Sequence, residues 1–237
     1  MIIITDAHLT QASGSRIDFF RMLAAIEHSD HDIVFLGDVF DLWIALPRYE
    51  QEIHRRFLDW CQTQKSRRQI GFIEGNHEFF VAEERETYFS WCTGGAWRCH
   101  SDAVMFTHGD CVNPLDKNYL RFRKLTKNKT TKFLMRFFPF GPALTHALKL
   151  QLRRTNQRFR NQLPHDEIHE FAAASFLNGI STIFVGHFHC DYRYDHSDSQ
   201  TLYAVPDWHT SQTVTVFDPG MHRVESLLWT DLNQIKT

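Results

Sequence analysis

With 237 residues, a hydrophobic fraction of 43% and a charged fraction of 23%, the chain has the composition of a folded protein, which excludes wholesale disorder. That length suits one domain with room for an inserted segment. The formal net charge of -2 argues against a protein that binds a polyanion over its whole surface.

Short apolar runs and amphipathic stretches alternate along the chain. Five apolar runs that end abruptly in polar residues predict buried strands, at residues 2–5, 33–36, 70–74, 104–107 and 183–185. Apolar residues at helical spacing predict helices at 17–28 and 49–64, between the first three strands. This order of strand, helix and strand indicates an α/β fold.

A basic stretch interrupts this order. Residues 111–163 contain half of the chain's 26 Lys and Arg residues and a single acid, Asp116. Two helices are predicted there, at 117–138 and 142–162, separated by the breaker Pro139-Phe140-Gly141-Pro142. We interpret residues 111–165 as a basic helical cap inserted into a single domain that spans residues 1–237.

The C-terminal end changes character again. Runs at 201–205, 213–217 and 223–229 predict strands, and Pro219-Gly220 predicts a turn between the last two. We expect these strands to be antiparallel and to complete a second sheet. No internal repeat is visible in the sequence, which argues against a solenoid.

Polar residues of metal-ligand type follow each of the five predicted strands of the first group. In chain order they are Asp6-Ala7-His8, Gly37-Asp38, Gly75-Asn76-His77-Glu78, Thr107-His108-Gly109-Asp110 and Gly186-His187-Phe188-His189. One such residue is usually a turn or capping residue, but five clusters at five strand ends exceed what turn chemistry requires. Because strand ends converge in an α/β sheet, we expect a mixed N/O site for Mn²⁺, Zn²⁺ or Fe. These motifs offer seven side chains as ligands, which is too many for one ion but suits two ions that share a carboxylate.

This string of motifs resembles the calcineurin-like metallophosphoesterases, whose fold is a two-sheet sandwich flanked by helices. The resemblance implies two divalent metals, foremost Mn²⁺ with Zn²⁺ or Fe as alternatives, and hydrolysis of a phosphate ester or anhydride by a water that they activate. It implies the following metal ligands, of which Asp38 bridges: Asp6, His8, Asp38 and His189 for one ion, and Asp38, Asn76, His108 and His187 for the other. The implied catalytic residues are His77, which acts on the reacting phosphate, and Asn76.

Within that superfamily the chain is most similar to the UDP-2,3-diacylglucosamine hydrolases of lipid A biosynthesis, which release UMP and 2,3-diacylglucosamine 1-phosphate. The similarity rests on four features: residues 37–43, the spacing from His108 to Arg123, the basic insertion, and Asp207-Trp208-His209-Thr210. It implies the following substrate contacts: Asp116, Tyr119 and Arg123, with Asn156 and Arg158 as neighbours of the substrate. One departure is His77-Glu78, where the best-known members carry Arg-Asp.

The cap leaves three interpretations open. Residues 132–140 are apolar on nearly every side and bracketed by cations, which suits an anionic membrane surface or the acyl chains of a phosphorylated lipid or nucleotide-sugar lipid. The same helical spacing would serve a hairpin packed on the body, as in a soluble phosphoesterase of nucleotides or phosphoproteins. A nuclease or nucleic-acid-binding protein would use interleaved basic and aromatic residues, but the sequence contains no recognised nucleic-acid-binding module.

Cysteine content and the N-terminus indicate the compartment. The five cysteines are odd in number and form no C-x-x-C pair, which argues against a disulfide framework or a thiolate zinc site. The first residues carry no basic stretch and only a short apolar run, so no signal peptide is predicted. We therefore expect a cytoplasmic protein that contacts the cytoplasmic face of the membrane peripherally.

Overall fold

The computed structural model describes residues 1–11, 14–99, 101, 103–137, 145, 147–151 and 163–234, with no side chains described after residue 232. The predicted second cap helix, 142–162, is helical where it is described, at residue 145 and at residues 147–151. Its remainder lies outside the described residues, and so do Phe138, Asn156 and Arg158.

The elements of the described residues alternate between short strands and helices. In chain order they are β1 (Ile2–Ile4), α1 (Ser15–Ile26), β2 (Ile33–Phe35), β3 (Trp43–Ile44), α2 (Glu52–Gln64), β4 (Ile70–Ile73), β5 (Glu78–Phe79), α3 (Val81–Glu84), β6 (Trp91–Thr93), β7 (Trp97–Cys99), β8 (Val104–Thr107), α4 (Lys117–Thr126), α5 (Lys129–Phe137), α6 (His165–Phe176), β9 (Thr182–Val185), β10 (Tyr192–Ser197), β11 (Gln200–Ala204), α7 (Trp208–Ser211), β12 (Thr213–Asp218) and β13 (Arg223–Leu228). Short 3₁₀ turns occupy Glu86–Tyr88 and Trp229–Gln234.

Two large sheets form the body. One has the strand order β13-β12-β1-β2-β4-β6, the other has the order β10-β11-β9-β8-β7, and β3 pairs with β5 in a small third sheet. Strands β1, β2, β4 and β6 run parallel in the first large sheet. Strands β8, β9 and β11 run parallel in the second. The parallel strands therefore direct their carboxyl ends, and the loops that follow them, to common edges.

The core lies in three layers, because successive side chains of a strand point to opposite faces. Ile3 of β1 packs between the sheets in a cluster with Phe106 and Phe184. Its neighbours Ile2 and Ile4 face the other way, toward a cluster with the side chains of α1 and α2. Helix α6 covers the outer face of the second sheet. The predicted two-sheet sandwich flanked by helices is confirmed.

The predicted antiparallel pairing of the last two strands is confirmed in β12 and β13, but the prediction that the C-terminal strands complete a second sheet together is wrong. Strand β11 pairs parallel with β9 in the second sheet, whereas β12 pairs antiparallel with β1 in the first sheet and β13 follows it. The chain changes sheets through α7, whose Trp208 is fully buried and contacts Phe19 of α1 edge to face. Alternating apolar residues predict a strand but not its partner, so the pattern could not reveal this crossing.

The first cap helix is also not continuous as predicted, since α4 and α5 are separated at Asn128. The Asn128 side-chain amide donates to the carbonyls of Lys124 and Leu125, at 2.9 Å and 2.8 Å, and thereby ends α4. Its carbonyl oxygen accepts from the backbone N–H of Thr131 at 2.9 Å and begins α5. In the described part of the chain, none of the helices combines the length and apolarity needed to cross a bilayer.

Candidate metal centre

All seven predicted ligand side chains lie together where the loops after β1, β2, β4, β8 and β9 meet. Three overlapping groups place potential ligand atoms within 4.8 Å of one another: Asp6, His8 and His189; His8, Asp38 and His77; and Asp38, His108 and His187. The Asn76 side-chain oxygen lies 3.0 Å from His108 Nε2 and 3.0 Å from His187 Nδ1. The three groups overlap at His8 and at Asp38, so together they form one continuous cluster.

Each of the two central carboxylates has one oxygen fixed by the protein and one directed at imidazoles. Asp6 Oδ2 accepts from Thr5 Oγ1 at 2.6 Å and from the backbone N–H of His187 at 2.8 Å. Asp38 Oδ1 accepts from the backbone N–H of His77 at 2.8 Å. The remaining oxygens, Oδ1 of Asp6 and Oδ2 of Asp38, point into the cluster. Carboxylates oriented in this way are suited to metal coordination.

The donor set fits cations, because acceptor atoms face one another. Asp6 Oδ1 is buried and accepts no hydrogen bond of good geometry, although His189 Nε2 lies 3.3 Å away. His8 Nε2 in turn lies 3.4 Å from His189 Nε2. His108 Nδ1 donates to the Leu36 carbonyl at 2.7 Å, so in a neutral ring its Nε2 would be an acceptor that faces the Asn76 oxygen. Such contacts are unfavourable unless a proton or a metal ion lies between them. Two divalent ions would satisfy these atoms.

The electrostatics of the cluster point the same way. Burial opposes ionisation of His108, yet the charge of Asp38 raises its pKa to about 10. Burial likewise opposes ionisation of His189, and its contacts with Asp207 and Asp6 raise its pKa to about 10. Buried carboxylates therefore create a negative potential that attracts cations to both halves of the cluster.

The backbone of the cluster is strained. Asp6, His8, Asp38, His187 and His189 all have positive φ, between 44° and 68°. This left-handed region is unfavourable for residues other than glycine, and it persists only where the surroundings impose it. Five of the nine such residues in the described chain are predicted metal ligands. Strain of this kind concentrates at functional sites and is a second, independent sign of one here.

Glycines allow two ligand loops to approach closely. A Cβ on Gly75 would lie 2.1 Å from Asp38 Oδ1, and a Cβ on Gly37 would lie 2.5 Å from the Gly75 nitrogen. Side chains at either position would therefore push apart the loops that carry Asp38 and Asn76.

The role of Glu78 was not predicted from the sequence. Its fully buried carboxylate accepts the backbone N–H groups of Gly75, Asp38 and Val39, each at 2.7 Å, and so joins two ligand loops. Burial and the nearby charge of Asp38 raise the pKa of Glu78 to about 8. The only sequence signal was its place in the Gly75–Glu78 motif.

His77 lies beside the ligands with a fixed ring orientation. Its Nδ1 donates to the Asp41 carbonyl at 2.6 Å, which directs Nε2 toward Asp38 Oδ2 at 3.8 Å. The ring contacts the His8 ring edge to face, with centroids 4.8 Å apart. His77 is 4% exposed, so it can reach only a group that enters the metal cluster.

Residues 207–209 hold the Asp6 loop and His189 in place through hydrogen bonds and an ion pair. The backbone N–H groups of Trp208 and His209 donate to the carbonyls of Thr5 and Asp6. Asp207 Oδ2 lies 3.7 Å from His189 Nδ1 and also accepts the N–H of Thr210 at the start of α7. Asp207 thus orients His189, a role that its place in the Asp207–Thr210 motif did not reveal.

Three of the five predicted substrate contacts, Asp116, Tyr119 and Arg123, lie at the start of α4 and within it. Asp116 is the N-cap of α4 and accepts the backbone N–H of Tyr119 at 3.0 Å. The buried Tyr119 hydroxyl donates to Asp110, and Arg123 Nε donates to the same Asp110 oxygen at 3.0 Å. All three side chains therefore make structural contacts within the protein. Asn156 and Arg158 lie outside the described residues.

Comparison with known proteins identifies relatives over nearly the whole chain. The family model described as calcineurin-like phosphoesterase matches residues 1–191. A UDP-2,3-diacylglucosamine hydrolase of Aeromonas salmonicida is 25% identical over 98% of this chain and 95% of its own length. Another, from Shewanella pealeana, is 22% identical over 94% of this chain and 97% of its own length. A dimetal phosphatase from Danio rerio aligns with 95% of this chain and 90% of its own, at 13% identity and a TM-score of 0.42.

Proposed function

The chain belongs to the calcineurin-like phosphoesterases and is a metal-dependent hydrolase of phosphoesters, and from that premise we propose that it cleaves UDP-2,3-diacylglucosamine to UMP and 2,3-diacylglucosamine 1-phosphate. The family implies a centre of two divalent metal ions, and we propose Mn²⁺ for both. The curated relatives named above, which carry this activity in their names, support the substrate.

The observation that carries the proposal is the apolar surface of the cap. Phe133 and Phe137 of α5 are 59% and 60% exposed, and their rings contact each other with centroids 4.7 Å apart. We call these two, together with Leu125, Leu134 and Leu150, the exposed apolar residues of the cap. Clustered exposed side chains of this size are unfavourable in water unless a ligand, a partner or a membrane covers them. Acyl chains of the substrate would do so.

A second feature supports an acyl-chain site next to this surface. A pocket of about 200 Å³ lies between α5 and the loop at residues 46–49, lined by Leu46, Pro47, Tyr49 and Met135 among others. Met135 also packs with Leu148 against the small sheet of β3 and β5, so the inner side of the cap also contains apolar residues. We propose that residues 111–165 form the cap of a single domain. Its exposed apolar residues would contact the cytoplasmic face of the membrane peripherally.

We assign the metal-centre residues as follows. Asp6, His8, Asp38 and His189 bind one ion, and Asp38, Asn76, His108 and His187 bind the other. When bound, the two ions would lower the pKa of a coordinated water and neutralise charge on the phosphoryl group. His77, whose Nδ1 is engaged by Asp41, offers Nε2 to a phosphoryl oxygen in the cluster and donates a hydrogen bond or a proton when it is protonated.

The test is a direct assay of the purified protein with Mn²⁺ and UDP-2,3-diacylglucosamine in detergent micelles, with UMP measured by chromatography. We expect UMP release that is abolished by a chelator and restored by Mn²⁺. UDP-N-acetylglucosamine, which has the same pyrophosphate but no long acyl chains, is the matched control and should release UMP far more slowly. Equal rates on the two substrates, or no release from the lipid, would refute the lipid assignment.

One observation favours a second candidate, a soluble phosphoesterase of nucleotides or phosphoproteins. His77 and Glu78 occupy the positions where the best-known lipid hydrolases carry Arg-Asp, and His77 provides one imidazole rather than a bidentate guanidinium. If the protein instead turns over a nucleotide monoester faster than the lipid in the same assay, this second function is favoured.

A further inference from the structure

Three cations of the cap contact the body beside the metal centre. Arg123 Nη2 donates to the Gly94 carbonyl at 2.6 Å while its Nε contacts Asp110. Lys127 Nζ donates to the Gly75 carbonyl at 2.5 Å. Lys149 Nζ donates to Asp41 Oδ2 at 2.8 Å. We call Arg123, Lys127 and Lys149 the anchoring cations of the cap.

Each contact lies next to a different member of the metal centre. Asp110 follows His108 by two residues, and its loop carries that histidine. Gly75 directly precedes Asn76. The Gly75 carbonyl that accepts from Lys127 is therefore part of the peptide bond between Gly75 and Asn76. Asp41 accepts from Lys149 through its side chain and from His77 Nδ1 through its backbone carbonyl. The three anchoring cations thus contact the segments that orient His108, Asn76 and His77.

Lys127 is held tightly in this position. Its side chain is only 9% exposed, and its ammonium group lies 3.9 Å from Glu74 Oε2 and 5.3 Å from the centre of the Phe79 ring. A buried ammonium group is costly unless its environment compensates the charge, and here a carbonyl, a carboxylate and an aromatic face do so. Glu78 fixes the other side of the same segment by accepting the Gly75 N–H. Gly75 is therefore clamped between the body and the cap.

We propose that the cap is part of the metal centre's scaffold, in which Lys127 positions Asn76 and Lys149 positions His77. The inference rests on phosphoester hydrolysis and the metal centre, not on the lipid substrate. It therefore applies to any phosphoester, including substrates too small to touch the cap. Residues that orient metal ligands typically affect metal affinity or activity by about 10- to 100-fold.

The chain provides a matched control in Lys132. Its ammonium group pairs with Glu83 and Glu84 of the body at 2.5 Å, so it also joins the cap to the body. Those acids belong to α3 and are not predicted ligands or catalytic residues. A substitution at Lys132 therefore removes a cap-to-body ion pair without touching the metal-centre loops.

The first experiment measures hydrolysis of bis-p-nitrophenyl phosphate by the Mn²⁺-loaded protein. Lys149→Met should lower kcat at least 10-fold with KM within about 3-fold of wild type, the range expected for a positioning residue. Lys149→Arg should restore most of the loss, and Lys132→Met should behave like wild type. If Lys149→Met matches Lys132→Met in kcat, the role of Lys149 is refuted.

Asp41→Asn provides an independent route to the same contact, because it keeps the carbonyl that binds His77 and removes the ion pair. It should reproduce the kcat loss of Lys149→Met, and the double variant should be no worse than either single variant. Recovery of kcat in the double variant would show that an unpaired Asp41 charge, and not lost positioning, causes the defect. That outcome would overturn the proposal for Lys149.

The second experiment measures Mn²⁺ binding itself. Lys127→Met should weaken the affinity of one ion by about 10- to 100-fold in calorimetric titration. In electron paramagnetic resonance, the Lys127→Met variant should also give a weaker signal from pairs of magnetically coupled Mn²⁺ ions when the Mn²⁺ concentration is low. Lys149→Met and Lys132→Met should bind both ions as wild type does. Unchanged binding by Lys127→Met would refute the role of Lys127, and equal weakening in all three variants would refute a site-specific role for either lysine.

Discussion

The side of the cap that faces the body and the side that faces solvent carry different kinds of residues. On the side of the body, its anchoring cations Lys127 and Lys149 contact a carbonyl and a carboxylate beside the metal centre. On the side of the solvent, Phe133 and Phe137 lie more than half exposed. The same segment, read as sequence, is a mixture of cations and apolar residues in which these two sets cannot be told apart.

The two sides of the cap therefore have different roles: one attaches the cap to the body, and the other is free to contact a substrate. Acids of the body compensate part of the basic charge of the cap, because Asp41, Glu83 and Glu84 each pair with a cap lysine. A diphosphate would therefore meet fewer free cations than the sequence suggests. Substitutions on the anchoring side should affect chemistry on every substrate, and substitutions on the exposed side should affect only substrates that reach it.

The largest effect is expected from Asp38→Ala, which sets the baseline for the comparison. Its carboxylate belongs to two of the three ligand groups, and its loss would leave two divalent charges less neutralised at roughly 3.5–4 Å. We expect turnover of every substrate to fall below detection and at least one ion to be lost. Elemental analysis together with the aryl phosphodiester assay checks this. Two retained ions and a near-normal rate would contradict the bridging role.

His77→Ala should have the next largest effect. We expect kcat to fall by roughly 10²–10⁴, the usual contribution of a general acid or base, with both metals retained. The defect should appear on lipid and aryl substrates alike, because His77 faces the metal cluster and not the cap surface. Loss of a metal ion in this variant would instead assign His77 as a ligand.

The sequence predicted the cluster because its members directly follow five apolar strands. That signal is local, and convergence of strand ends does the rest. Positive φ at Asp6, His8 and Asp38 has no sequence signature, since residues with side chains rarely adopt it. The roles assigned to the cluster remain predictions, although the geometry brings all its members together.

The remaining contacts were not predictable because they join residues far apart in the chain. Lys149 and Asp41 are 108 residues apart, and nothing near either one indicates the other. Asn128 separates α4 from α5 within a stretch whose helical periodicity continues on both sides, so only its side-chain contacts reveal the break. The members of the cluster were thus readable from sequence, whereas the contacts that support them were not.

Phe133→Asp combined with Phe137→Asp tests the exposed side of the cap. We expect kcat/KM for UDP-2,3-diacylglucosamine to fall roughly 10- to 100-fold, equivalent to losing two to four buried methylene groups at about 0.8 kcal/mol each. Hydrolysis of bis-p-nitrophenyl phosphate should stay within about 2-fold of wild type, because both side chains are more than half exposed on the surface of the cap.

Comparison of the lipid with the aryl substrate distinguishes the possible reasons for an unexpected result. A parallel loss on both substrates would mean that the cap has detached from the body, since the anchoring cations would then no longer support the centre. Wild-type turnover of the lipid by the double variant would show that these phenylalanines do not contact acyl chains, and it would remove the main support for a lipid substrate.

The smallest expected effect is on the stability of the fold, and it depends on pH through His54, which lies next to the small sheet of β3 and β5. His54 of α2 stacks on Trp43 of β3, and its Nδ1 accepts the backbone N–H of Gln51 at 2.9 Å, so the fold requires neutral imidazole. Burial lowers the pKa of His54 to about 4, from 6.5. The unfolded chain therefore takes up the proton first, and the contribution of His54 to stability is complete above pH 6.5 and is lost as the pH falls toward about 4. Between pH 7 and pH 5.5 this loss is about 1 kcal/mol. Urea unfolding of chelator-treated wild type and His54→Gln over that range should give a steeper pH dependence for wild type, and equal slopes would show that His54 is not held neutral beneath the cap.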